Sequence, residues 1–147
     1  RAEGADRPFC VVAGFVLPHC PFVCPPEDWD YYSDRITLPE VPEGCFESLN
    51  PAMKKWLQAR GLEDVTEEEA RRSRIGYYGI VTHFDRQVGA IMEALEKTGL
   101  DRNTVVVYVS DHGEMGGEHG MWWKSCFYEG SASVPLIVSW PARWDRR

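Results

Sequence analysis

The sequence predicts an α/β fold in which a mostly parallel sheet is connected through one long crossover helix. Three observations carry that expectation. Short, uniformly apolar runs bounded by Pro, Gly or polar residues lie toward both ends of the chain, a long stretch between them repeats its apolar residues at helical spacing, and polar, metal-competent side chains follow directly where two of the apolar runs stop.

Residues 8–15, PFCVVAGF, read as a strand covered on both faces, because the run is continuously apolar rather than alternating. Val16-Leu17-Pro18-His19-Cys20-Pro21 follows, and its prolines forbid regular structure, so the strand stops before His19. Residues 16–51 form a long loop interrupted by Pro25, Pro26, Pro39, Pro42 and Pro51, with a turn of helix around Asp28 to Tyr32. Residues 52–60, AMKKWLQAR, suggest a short helix ending before Gly61. Thr66-Glu67-Glu68-Glu69 is a capping box, in which the Thr hydroxyl accepts from the backbone three residues on and Glu69 reaches back. It opens a helix over 66–98, whose Ile75, Tyr78, Val81, Phe84 or Asp85, Val88, Ile91 or Met92, and Leu95 recur at three- and four-residue steps until Gly99 caps the end. Gly76, Gly79 and Gly89 each weaken such a helix by about 1 kcal/mol relative to Ala, which demands a packing reason or a kink. Residues 104–110, with TVVVYV at their start, and 134–140, VPLIVSW, read as two further strands, Pro135 being tolerable near the start of the second.

With 147 residues and 44% hydrophobic content the chain can bury one core of ordinary domain size. A net charge of −7 argues against nucleic acid, since binding the phosphate backbone requires clustered Lys and Arg. The one basic cluster, Arg71-Arg72-Ser73-Arg74, pairs by spacing with Glu67 and Glu68 at i,i+4 and reads as a solvated helix face. No apolar run approaches the ~20 residues of a membrane span. Five cysteines leave at least one without an internal partner, and His19-Cys20 with Cys24 falls short of the four ligands of a zinc site. Arg1 at the start, and Trp144-Asp145-Arg146-Arg147 at the end, lead us to expect an internal fragment of one domain spanning 1–147.

In open parallel sheets ligands bind beyond the carboxyl ends of the strands. His19 follows the first predicted strand and Asp111-His112 the second, so one rim would gather them. Asp111 offers a hard carboxylate and His112 an imidazole nitrogen for a divalent cation; Lys124 adds a point positive charge. Together they describe a site for a tetrahedral oxyanion. Each has a plainer reading: Asp111 as a turn former, His19 as a loop histidine, Lys124 lying over its tryptophan neighbours. Glu114 could serve as a general base, though nothing in its local pattern requires it.

Ser110-Asp111-His112-Gly113-Glu114-Met115, Gly117-Glu118-His119-Gly120, Trp123-Lys124, Phe127-Tyr128-Glu129-Gly130 and Val134-Pro135-Leu136-Ile137-Val138 resemble the second half of the catalytic core of type I sulfatases, within the alkaline phosphatase superfamily. Tyr77-Tyr78-Gly79 through Asp85-Arg86-Gln87-Val88-Gly89, and Pro18-His19-Cys20-Pro21-Phe22, match two further blocks of that family. The resemblance implies a partial alkaline-phosphatase-like sandwich that hydrolyses a small-molecule sulfate ester. It implies that Asp111 and His112 bind the single divalent cation, usually Ca2+, and that His19 and Lys124 contact the sulfate and its leaving oxygen. An Asp-His pair rather than Asp-Asn is closer to choline-sulfatases and phosphonate hydrolases, and imidazole also suits Mn2+ or Zn2+. The formylglycine nucleophile of sulfatases is made from Cys or Ser in a C/S-x-P-x-R motif, which 1–147 lacks, Cys24-Pro25-Pro26 failing the spacing. The Asp pair that completes the metal shell is missing too. The expected partner is therefore the remainder of the catalytic domain. The rivals are a phosphodiester or phosphonate monoester hydrolase of the same superfamily and a non-catalytic anion- or metal-binding module.

Overall fold

A computed structural model of the chain describes residues 8–140 and 143–144. Its backbone of support is one helix, α4, Glu67–Thr98, which the capping box and glycine cap delimit as the sequence requires: Thr66 Oγ1 accepts from the Glu69 N–H at 3.3 Å, Glu69 accepts from the Thr66 N–H at 2.9 Å, and Gly99 closes the end with φ 68°. Three shorter helices precede it, α1 at Pro26–Tyr32, α2 at Cys45–Ser48 and α3 at Pro51–Gln58. Proline starts α1 and α3, where a missing N–H is harmless, and Asn50 caps α3 by accepting from Ala52 and Met53. The predicted loop 16–51 therefore contains two helices, the second of them nucleated behind the left-handed Gly44.

After α4 come β1, Val106–Val109, then β2, Met115–Gly116, β3, Trp122–Trp123, the single helical turn α5, Glu129–Ala132, and β4, Leu136–Ser139. β1 pairs with β4, Val106 opposite Ser139 and Val109 opposite Leu136, and β2 pairs with β3. Both pairs are antiparallel, which corrects the expectation of a parallel sheet within these residues. The cause is the connection: the chain between β1 and β4 is a hairpin and a turn rather than a crossover helix, and only a crossover returns a strand in the same direction. The α/β class and the long helix stand.

The expected strand over 8–15 does not form. Among the described residues that segment pairs with no strand, and Val11 and Val12 stand 77% and 88% exposed. A continuously apolar run signals neighbours on both sides, and a strand without a ladder partner has nothing to fix it; here Phe15 instead packs edge-on against Phe84 of α4, ring centroids 5.0 Å apart. The i,i+4 pairs expected for Arg71 and Arg72 are absent among the described residues as well. Arg71 donates to the Ile36 carbonyl, so that it holds the segment before α2 and not its own helix face.

The core sits beneath the β2–β3 hairpin. Met115 and Met121 are 1% and 0% exposed and close over Leu49 and Leu57, with Phe46, Trp56 and Tyr128 around them. This cluster gives the hairpin a rigid base. Among the described residues no helix is long and apolar enough to cross a membrane.

Candidate functional site

Residues beyond β1 turn away from the strand in a short polar loop. The Ser110 hydroxyl donates to the His112 carbonyl at 2.9 Å, the His112 N–H donates to Asp111 Oδ1 at 3.0 Å, and the Gly113 N–H donates to the Ser131 carbonyl at 2.8 Å. The loop is thereby closed on itself and fastened to α5. Asp111 is exposed, and hydrogen bonding from its own backbone N–H, with further help from His112 and Ser110, holds its carboxyl below the ordinary range. His112 lies with Nδ1 2.8 Å from the Gly113 carbonyl, which makes Nδ1 the protonated nitrogen and leaves the lone pair on Nε2. That nitrogen is 3.6 Å from Asp111 Oδ2. One anionic oxygen and one free imidazole nitrogen at that separation can share a cation, and a carbonyl fixing the far nitrogen is the support a ligating histidine has. The donor set thus fits a divalent metal but fills only part of a shell. Among the described residues no group of three or more His, Cys, Asp or Glu side chains could hold a metal ion.

Lys124 leaves the end of β3 on an unusual backbone. Trp123 before it has φ 63° and Ser125 after it φ 76°, both in the left-handed region that non-glycine residues avoid. Trp123 is paired with Met115 and its ring meets Trp56 edge-on at 6.2 Å. The hairpin core therefore anchors the turn from which the lysine projects. Its Nζ lies 2.8 Å from Nε2 of His19, 105 positions earlier in the chain. Nδ1 of His19 is 2.7 Å from the Cys20 carbonyl, so the ring donates there and accepts from the lysine ammonium. The two expected anion contacts are together.

Glu114 connects the two pairs. Its carboxyl is half-buried ahead of β2, and burial pushes its pKa up against the opposing pull of Lys124, His112 and His19. Oε1 has no hydrogen-bond partner among the described residues. The same carboxylate lines a cleft of about 170 Å³ with Phe22, Arg74, Tyr77, Glu118 and Trp122. Below it, Arg74 of α4 donates to Glu118 Oε1 at 2.7 Å and to the Gly116 carbonyl at 2.8 Å, clamping the hairpin to the helix. Sequence reasoning left Glu114 undecided and gave Arg74 to a solvated face. The signal was there only in part: Arg74 lies one residue before buried Ile75, but nothing local reveals that a loop 42 positions away supplies its acceptor.

The chain is similar to known proteins along nearly its whole length. A family model described as Sulfatase matches residues 2–147. A choline-sulfatase of Rhizobium meliloti (strain 1021) is 38% identical over 142 residues, covering 95% of this chain and 28% of its own length. An arylsulfatase of Clostridium perfringens (strain 13 / Type A) is 34% identical over 139 residues, covering 94% of this chain and 29% of its own. Among solved structures, a phosphonate monoester hydrolase from Silicibacter pomeroyi superposes with a TM-score of 0.72 at 27% identity, over 84% of this chain and 27% of that one. The chain spans about 28% of the length of the curated relatives it matches.

Proposed function

Because this chain belongs to the sulfatase family, we propose that it supplies the cation-rich part of an active site that hydrolyses a small-molecule sulfate monoester. The observation that carries the reading is the contact between Lys124 Nζ and His19 Nε2 at 2.8 Å. Two residues from distant parts of the chain converge on one point, and neither has another side-chain partner there among the described residues beyond the adjacent Cys20 thiol.

The roles follow from the protons. Lys124 brings three N–H donors and a full charge to nonbridging sulfate oxygens, which carry the negative charge in ground and transition state alike. His19 holds a proton on Nδ1 through the Cys20 carbonyl, so Nε2 is the atom that, when the ring is protonated, can give its proton to a departing oxygen while Lys124 keeps its charge on the sulfate. Asp111 Oδ2 and His112 Nε2 would hold the divalent cation, for which Ca2+ is the family expectation and Mn2+ or Zn2+ the alternatives a histidine ligand admits. When bound, that ion supplies Lewis-acid polarisation of the sulfate oxygens. Glu114 balances the cationic cluster from behind. The nucleophile on this reading is a formylglycine contributed by the part of the catalytic domain that 1–147 does not span, since the precursor motif is not in this sequence. A partner of that kind also suits the exposed apolar side chains of Val11, Val12, Leu136 and Ile137.

The test is turnover of an aryl sulfate by the full-length protein and by its Asp111→Ala variant. We expect a loss on the order of 10²-fold or more, matched by weaker calcium binding in calorimetry. An unchanged rate contradicts the assignment. A second reading, phosphonate monoester hydrolysis, is favoured by the likeness to the Silicibacter pomeroyi enzyme; a phosphonate monoester turned over faster than the aryl sulfate would select it.

A further inference from the structure

His19 reaches Lys124 from a segment with almost no structure of its own. Residues 8–25 form neither helix nor strand, and the main-chain bonds between 16 and 23 are two tight turns, His19 N–H to Val16 and Val23 N–H to Pro21. Something outside the segment has to fix the imidazole. α4 does so at two places. Upstream, Phe15 packs on Phe84. Downstream, residues 22–24 lie directly on the helix backbone at two buried glycines one turn apart, Gly76 and Gly79.

The contact is too close for any side chain on the helix. A Cβ at Gly76 would stand 3.1 Å from Phe22 Cβ and nearer still to the Phe22 carbonyl oxygen; one at Gly79 would stand 2.8 Å from Cys24 Cβ and nearer to its sulfur. Phe22 also meets Tyr77 edge-on, at 5.4 Å between centroids. Immediately beyond, α1 is locked to α4 by buried Asp28, ion-paired with Arg86. The His19 loop is thus a strap pinned on the helix at both ends, with its free apex at the imidazole.

We infer that Gly76 and Gly79 are positioning residues for His19, their missing side chains forming the recess that sets the imidazole against Lys124. The two glycines weaken α4, and the strap they admit is the packing reason for that weakness. The inference rests on the role of His19 in leaving-group departure stated above. Leucine at either position forms helix better than glycine, so a purely local effect would strengthen α4, whereas a filled recess lifts the strap.

The experiment measures kcat/KM of the full-length protein and its Gly76→Leu variant over aryl sulfates whose leaving phenols span a range of acidity. A displaced His19 matters most when the departing oxygen is basic. We expect a loss within about threefold for the most acidic phenol, growing to the order of 10²-fold for the least acidic, the same dependence that we expect of His19→Ala. In the His19→Ala background Gly76→Leu should add no further loss. Gly79→Ala, a smaller intrusion, should give the same trend more weakly and serves if the leucine variant does not fold. A loss uniform across the series, or no loss, overturns the inference while His19→Ala still shows the trend. A flat series for His19→Ala itself overturns it together with the functional reading beneath it.

Discussion

Trp123 and Ser125 hold φ values of 63° and 76° on either side of Lys124, a conformation that costs a non-glycine residue about 1 kcal/mol or more. Strain of this kind persists only where surrounding structure fixes it, and here Trp123 is fixed by its pairing with Met115 and its contact with Trp56. Ser125 is exposed and has no such anchor. Ser125→Gly should therefore raise the stability of the full-length protein by about 0.5–1 kcal/mol in denaturant unfolding, and a loss of stability would show that the serine makes a contact the backbone strain conceals. At this scale the sequence was legible where chemistry is local. Asp111, His112 and Lys124 could be named as candidates because a carboxylate and an imidazole directly follow an apolar run and an ammonium comes thirteen positions after the carboxylate. Glu114 was not, because its half-burial and two of the three side chains that pull against it, His19 and Lys124, are brought to it by folding, His112 alone being a local neighbour.

Among the elements, α4 carries the His19 segment and the β2–β3 hairpin. Its ends were readable to the residue because Thr66, Glu69 and Gly99 act through hydrogen bonds spanning three or four positions. Its attachments were not, since Arg74 meets Glu118 and Gly116, and Arg86 meets Asp28, across tens of residues. The β2–β3 hairpin escaped notice for a related reason: Met115 and Met121 are scattered among glycines, and only their burial against Leu49 and Leu57 makes them a core. Burial pushes the Glu118 carboxyl up, but hydrogen bonds from Arg74 and from the Gly116 N–H outweigh it and hold the pKa below the ordinary range. A depressed folded-state value means stability that is complete above the unfolded pKa, about 4.3, and is lost as pH falls through the folded one. Glu118→Gln should cost about 2 kcal/mol in the full-length protein at pH 7. The gap between wild type and variant should narrow below about pH 4, and a gap that stays constant down to pH 2 would remove the Arg74 clamp from the account.

For the whole molecule, strand direction was the least legible feature. Uniform apolar runs at 8–15, 104–110 and 134–140 pointed to a buried sheet, and the chain answers with one antiparallel ribbon and one unpaired segment. Pairing is a long-range property that side-chain pattern does not encode, and Val107, Val109, Leu136 and Ile137 remain exposed on the ribbon the pattern predicted as interior. What the long-range folding does deliver is the meeting of His19 with Lys124. That meeting is tested most directly by a double-mutant cycle on kcat/KM in the full-length protein for the aryl sulfate with the least acidic phenol, with His19→Ala, Lys124→Ala and the pair. Acting as one unit, each single variant loses on the order of 10²-fold or more and the double variant loses little beyond the worse single. Losses that multiply independently would contradict the account.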